Sequence, residues 1–308
     1  MITHSHLGRQ SVRFRLPHRK SSPRATAGPL ALACLLACGG AHAAIAIVAA
    51  EKVYGDIARA VGGPEVSVTS VLASPDQDPH AFEASASIAA RIADARVVIY
   101  NGAGYDPWIV KLLRGARDAD RVTLDVARLS RHEAGDNPHV WYDVDAVDAL
   151  ARAVATELSR MDPAHGDAYA ARAAAVDASI ASVRARIASL RARFARTPVT
   201  ATEPVFGYMA DALGLDMRNA RFQLAVMNGT EPSARDVAAF EQDLRTHAVK
   251  ALIVNRQTRN ALTERMRGLA AQVGVPIVEI TETQPADVDY ARWMVSQLDR
   301  LARALGGP

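Results

Sequence analysis

Four short segments carry the side chains best suited to chemistry. Asp78-Pro-His80-Ala-Phe-Glu83 and Asn137-Pro-His139-Val-Trp-Tyr-Asp143 each place an imidazole directly after a proline. Thr202-Glu203-Pro204 and Thr281-Glu282-Thr283 each place one carboxylate just past a hydrophobic run. Proline fixes φ and stiffens the approach to the imidazole, so such a donor is held in place before an ion arrives. Brought together, two imidazoles and two carboxylates would make a site of nitrogen and oxygen donors, suited to Mn2+, Fe2+ or Zn2+. Singly, each has a plainer reading. A loop histidine is most often a surface residue, and Glu-Pro or Thr-Glu-Thr is most often a cap or a solvated turn. Spacing leaves both readings open.

The elements that must position these residues can be read from periodicity. Ala44–Ala50, Val66–Leu72 and Val97–Tyr100 are short apolar runs that suit buried strands, with helical patterns at Val53–Val61 and Ile88–Ala95 between them. The same alternation returns later, with strands at Val199–Thr202, Ala251–Val254 and Ile277–Ile280. Helices are expected at Val205–Leu213, Ala234–Thr246, Ala261–Val273 and Tyr290–Leu305. Strand–helix–strand order with short loops predicts parallel sheets covered by helices.

Between the two halves, Val144–Arg160 and then 163–196 are helical. The second stretch spaces Tyr169, Ala173, Val176, Ile180, Val183, Ile187, Leu190 and Phe194 along one face. At 1.5 Å per residue it would run about 45 Å, long enough to connect two domains. The expected fold class is α/β: two lobes of parallel-rich sheet flanked by helices, joined by one long backbone helix. The expected divisions are 1–43, 44–162, 163–196 and 197–308. In such sheets ligands bind at the carboxyl ends of strands, here between the lobes.

Charge and the N-terminus narrow the setting. The 308 residues carry a net charge of +3, yet six of the 36 cations fall within 1–43, which holds no acid; without that segment the net charge is −3. That removes the main support for a nucleic-acid partner. The same segment has a basic region, an apolar run of about ten residues from Pro29 to Cys38, and Ala41-His-Ala43. This is the pattern of a cleaved export signal, and the run is too short to span a bilayer. Both cysteines, Cys34 and Cys38, lie inside it, so cleavage after Ala43 leaves no thiol for zinc-thiolate or redox chemistry. Leu35-Leu-Ala-Cys38 loosely resembles a lipobox, which keeps a lipid anchor at Cys38 as the alternative.

The four segments also resemble those of a known family, the metal-binding cluster A-I (TroA-like) group of ABC substrate-binding proteins that supply zinc, manganese or iron importers. DPHAFE is similar to the family's first histidine segment and NPHVWYD to its second. TEPVFGYMADALGL resembles the segment of the third ligand, and VPIVEITET with Tyr290, Trp293 and Met294 the segment of the last carboxylate. The likeness runs from about Ala44 to Leu305. It implies an extracytoplasmic, periplasmic binding protein, monomeric and not an enzyme, that holds one divalent ion and hands it to a membrane permease. The ligands it implies are His80, His139, Glu203 and Glu282. Apart from the resemblance, Asp78 and Glu83 could orient His80, since ligating imidazoles donate their other N–H to a carboxylate or carbonyl; equally, Asp78 could start a turn and Glu83 cap the next helix. The zinc branch typically has histidine where this chain has Glu203, and a carboxylate there suits the manganese and iron branch.

Two other functions stay open on sequence. A secreted metallohydrolase could use the same residues, although four protein ligands would leave no open coordination position, and no H-E-x-x-H or G-x-S-x-G is present. A haem or siderophore carrier of similar architecture would need an aromatic or arginine-lined cleft, and aromatics make up only 5% of the chain. Asn101-Gly-Ala-Gly104 is only a partial glycine pattern and gives little support to a nucleotide site.

Overall fold

Apolar runs without polar alternation build the two sheets. The computed structural model describes residues 11, 13, 15, 43–74, 82–116 and 118–306. Cys34, Cys38, Asp78 and His80 therefore lie outside the described residues. β1 (Ile45–Glu51) is followed by α1 (Lys52–Gly62), β2 (Val66–Leu72), α2 (Ala86–Asp94), β3 (Val97–Tyr100), α3 (Pro107–Gly115), β4 (Val122–Asp125) and α4 (Val126–Leu129). The strands pair in the order β2-β1-β3-β4, all parallel, with Ile47 opposite Val68 and Val97, and Ile99 opposite Leu124. Val48, Ala49 and Ala50 are buried in succession because helices cover both faces of the sheet.

α5 (Val144–Met161) and α6 (Gly166–Phe194) come next, followed by a second sheet. It is built from β5 (Pro198–Ala201), α7 (Gly207–Leu213), β6 (Asp216–Arg218), α8 (Ala220–Met227), α9 (Ala234–Arg245), β7 (Leu252–Asn255), α10 (Ala261–Val273), β8 (Ile277–Ile280) and α11 (Tyr290–Ala304). Its order is β6-β5-β7-β8, again parallel throughout. The two sheets thus repeat one topology.

α6 is the long connecting helix. It begins at Gly166, after a 3-10 turn over Pro163–His165, and ends at Phe194, so it is shorter at both ends than the helical pattern over 163–196 suggests. Its face of Tyr169, Ala173, Val176, Ile180, Val183 and Leu190 is buried, against α1 and α5 on one side and α7 and α11 on the other. Local chemistry sets the neighbouring helix starts. Asp143 accepts from the Asp145 N–H, Ser233 from Asp236, and Asn260 with Thr263 forms a capping box.

Short elements without strong patterns escaped the periodicity reading: β4, β6, α3, α4 and α8. A strand of three or four residues has too few positions to show alternation. Among the described residues no helix is long and apolar enough to cross a membrane.

Candidate metal centre

The parallel strands end where the sequence places its chemistry. Glu203 follows β5 in an extended conformation that the next residue, Pro204, favours. Asn255 is the last residue of β7, and Glu282 lies two residues past β8. From the first lobe come Tyr105, in the loop after β3, and His139, just before the 3-10 turn Val140–Tyr142. His139 is 1% exposed, Glu203 and Glu282 are each 4% exposed, and Asn255 is 2% exposed. Two carboxyl groups buried side by side are a costly arrangement.

One amide holds the two acids. Asn255 Nδ2 donates to Glu203 Oε2 at 3.0 Å and to Glu282 Oε2 at 2.9 Å, with Thr258 Oγ1 at 3.1 Å. Its own Oδ1 accepts the Gln257 backbone N–H at 3.1 Å, which fixes which end of the amide faces the acids. Gln257 in turn receives the backbone N–H groups of Glu282 and Thr283 at 2.7 and 2.8 Å. Tyr105 donates its hydroxyl to Glu282 Oε1 at 3.0 Å. Burial, and then the neighbouring Glu282 carboxylate, hold the Glu203 pKa above the ordinary carboxylate range, while Asn255, Thr258 and His139 pull it back.

His139 is oriented just as firmly. Asn137 Nδ2 donates to the Pro204 carbonyl at 2.6 Å, so Asn137 Oδ1 faces His139 and accepts from both its backbone N–H, at 3.1 Å, and its ring Nδ1, at 2.6 Å. An amide oxygen only accepts, so the proton of the neutral ring sits on Nδ1. Nε2 then points its lone pair towards Glu282 Oε1, 3.3 Å away. With the ring neutral, two electron-pair donors face each other beside a second carboxylate, and a proton or a metal cation between them satisfies both. Tyr208 holds the loop by donating to the Asn137 carbonyl at 2.6 Å, and the Trp141 ring packs edge-on against the imidazole at 5.4 Å.

The loop carrying Tyr105 is the partial glycine pattern. Gly102, Ala103 and Gly104 take φ of 77°, 50° and 84° in succession, and a Cβ on Gly102 would fall 2.1 Å from Asp125 Oδ1. The pattern therefore serves backbone shape. Asp106 closes the loop by accepting from the Asn101 and Gly102 N–H groups at 2.7 and 3.1 Å, and Asn101 Nδ2 reaches the Pro138 carbonyl at 2.7 Å. Tyr105 and His139 are thereby tied to one another through the backbone.

Of the expected ligands, the structure thus gathers His139, Glu203 and Glu282, and His80 lies outside the described residues. Among the described residues no three histidine, cysteine or acidic side chains close on one point by themselves; the Asn255 amide sits between the two acids. Glu83 is exposed, and Ser85 rather than Glu83 caps α2, accepting from Ile88 N. Asp78, its expected companion, is outside the described residues. Asn255, Tyr105 and Gln257 bond directly to Glu203 or Glu282, and the motif reading passed over them.

Comparison with known proteins shows the family and the fold. The family model for zinc-uptake complex component A, periplasmic (ZnuA), matches residues 47–304. The metal ABC transporter substrate-binding lipoprotein FimA of Streptococcus parasanguinis is 23% identical over 88% of this chain and 94% of its own. The zinc-binding protein TroA of Treponema pallidum is 27% identical over 68% of this chain and 69% of its own. Among solved structures, the periplasmic zinc-binding protein TroA from Treponema pallidum superposes with a TM-score of 0.71 at 20% identity, covering 85% of this chain and 99% of that one. The binding protein FpvC of Pseudomonas aeruginosa, in complex with Mn2+, gives a TM-score of 0.70 at 20% identity, covering 86% and 99%. With a model match over most of its length, the chain belongs to the ZnuA family of periplasmic zinc-uptake components.

Proposed function

We propose that this protein captures one divalent transition-metal ion, manganese, zinc or iron, between its lobes outside the cytoplasm and delivers it to the permease of an ABC importer. The observation that carries the reading is the Nε2 lone pair of His139, fixed by Asn137 and aimed at Glu282 beside the buried Glu203. The ion would be held by His139, Glu203 and Glu282 together with His80, and it would offset the burial and the Glu282 charge that now raise Glu203. The protein acts as a monomeric carrier and not as an enzyme; four protein ligands complete a tetrahedral set and leave no position for a reacting water. Two carboxylates favour the harder ions, and the relatives named above include both a zinc and a manganese binder.

Within this reading, residues 1–43 direct export, 44–162 and 197–308 form the lobes, and 163–196 bridge them. The designation of FimA as a lipoprotein favours testing Cys38 as a lipid attachment site beside cleavage after Ala43; the mass of the exported protein separates the two.

Elemental analysis of the exported protein purified without chelator, followed by calorimetric titration with Mn2+ and Zn2+, tests the function. One equivalent of metal, lost in His80→Ala and in His139→Ala, is the expected result. An affinity no tighter than about 10 μM, or about −7 kcal/mol, for either ion would overturn it.

A further inference from the structure

Two residues past His139 and two residues past Glu282 stand Trp141 and Gln284. With Glu51, the last residue of β1, they line a small chamber against Glu282 and Tyr105. Its volume is about 10 Å³, about the least that admits one water molecule. Trp141 Nε1 and Gln284 Oε1 are buried and meet no hydrogen-bond partner among the described residues, and the buried Glu51 carboxyl has only the Asp106 carboxyl beside it. The neighbouring cation is engaged elsewhere, since Lys52 Nζ bonds Asp56. Gln284 cannot turn to help itself, because its Nε2 donates to Asp56 Oδ2 at 2.8 Å and to the Val288 carbonyl at 2.6 Å. The walls of the chamber thus offer one donor, the indole N–H, and at least one acceptor, the Gln284 oxygen, beside a carboxyl group.

We infer that a single ordered water occupies this chamber, accepting from Trp141 Nε1–H and donating to Gln284 Oε1 and to Glu51, and that it clamps the two ligand-bearing loops together. Water has two donors and two acceptors, which match these orphaned groups, and buried polar atoms are otherwise costly to leave unpaired. Burial, and then the nearby Asp106 carboxyl, hold Glu51 above the usual carboxylate range, and glutamine keeps both its shape and its carbonyl acceptor. Trp141 and Glu51 belong to the first lobe and Gln284 to the second, so the bridge joins the lobes directly behind Glu282. Glu51 is a positioning residue in this arrangement. Its effect on metal rests on the proposed function, whereas the water does not.

Crystals of the exported protein with and without Mn2+, diffracting well enough to show ordered water, test the first part. Metal release into excess chelator tests the second, on wild type, Glu51→Gln, Glu51→Leu and Trp141→Phe. A water peak within hydrogen-bond distance of all three groups is expected in wild type and Glu51→Gln. Glu51→Leu and Trp141→Phe should lose it, widen the gap between Trp141 and Gln284, and release metal about tenfold faster. A dry chamber in wild type, a metal ion in place of the water, or equal effects of Glu51→Gln and Glu51→Leu would overturn the inference. Should wild type bind no metal, the proposed function fails, while the water peak and the Trp141 to Gln284 gap still decide the clamp.

Discussion

Asn255→Leu is the substitution that bears most directly on how the site works. One amide nitrogen reaches both Glu203 and Glu282, so its loss removes two hydrogen bonds to carboxylates at a single stroke. Each such bond is worth about 1.5–3 kcal/mol. It also leaves two buried acids facing each other: oxygens bonded to one nitrogen at 3.0 and 2.9 Å are at most about 6 Å apart, and unit charges at that limit repel by about 3 kcal/mol at an effective dielectric constant of about 20. The metal-free protein relieves this by keeping a proton on one acid, which an incoming ion must then displace. Affinity should fall about 10- to 100-fold, or about 1.4–2.7 kcal/mol. Asn255→Asp, which adds a third acid and no donor, should do worse. Chelator competition gives the affinity, and thermal unfolding with and without metal gives the stability. An Asn255→Leu protein that binds as tightly as wild type would refute the idea that this amide pre-arranges the acids.

Three further predictions use other parts of the site. Glu203→His replaces an oxygen donor by nitrogen and should raise the ratio of zinc to manganese affinity by about tenfold or more, a difference of about 1.4 kcal/mol, in paired titrations. Gly207→Ala would place a Cβ 2.5 Å from Asn137 Nδ2, pushing the amide off the Pro204 carbonyl and freeing His139; metal affinity should drop about tenfold while unfolding shows a loss of about 1–3 kcal/mol. Asp106 is raised by burial from the usual 3.8 to about 6. Between those values the folded state keeps a proton that the unfolded chain has released, so this group's contribution to stability falls as pH rises through the window, by up to about 3 kcal/mol. Chemical denaturation of the metal-free protein across that range should show the slope, and Asp106→Asn should flatten it.

What was legible in the sequence followed the strength of its patterns. The apolar strands Val66–Leu72, Val97–Tyr100 and Ile277–Ile280 appear with those same bounds, because runs flanked by turn residues have few alternatives. Proline before each histidine and a carboxylate just past a strand marked His80, His139, Glu203 and Glu282 as candidates. The residues that orient them left no such mark. Asn255 follows an apolar run and looks like any turn residue; only the sheet order, which puts β7 beside both β5 and β8, shows that it must face two acids at once. Tyr105 hid behind Gly102-Ala-Gly104, whose meaning is the left-handed backbone that swings the ring towards Glu282. Gln284 and Trp141 became informative only through what they fail to bond.

The way the lobes are joined bears on how the ion leaves. A wide hinge needs a thin connection, and here there is none. One continuous apolar core takes in Ile47 and Ile99 of the first sheet, Tyr169 and Ile180 of α6, Val199 and Ile253 of the second sheet, and Leu298 of α11. Polar ties cross at the same level: Tyr142 donates to the Thr281 carbonyl at 2.7 Å, Tyr290 to the Trp141 carbonyl at 3.0 Å, and Asn137 to the Pro204 carbonyl at 2.6 Å. Swinging the lobes apart would expose that core, at about 25 cal/mol for each Å² of apolar surface returned to water. Moving a ligand-bearing loop breaks only a few hydrogen bonds, each worth about 1 kcal/mol. Release should therefore proceed by displacement of single ligand segments while the sheets and α6 stay fixed. Metal-free and metal-bound crystals should superpose as one body outside the loops that carry the ligands, and a large-angle rotation of one sheet against the other would show that the shared core does not govern the motion.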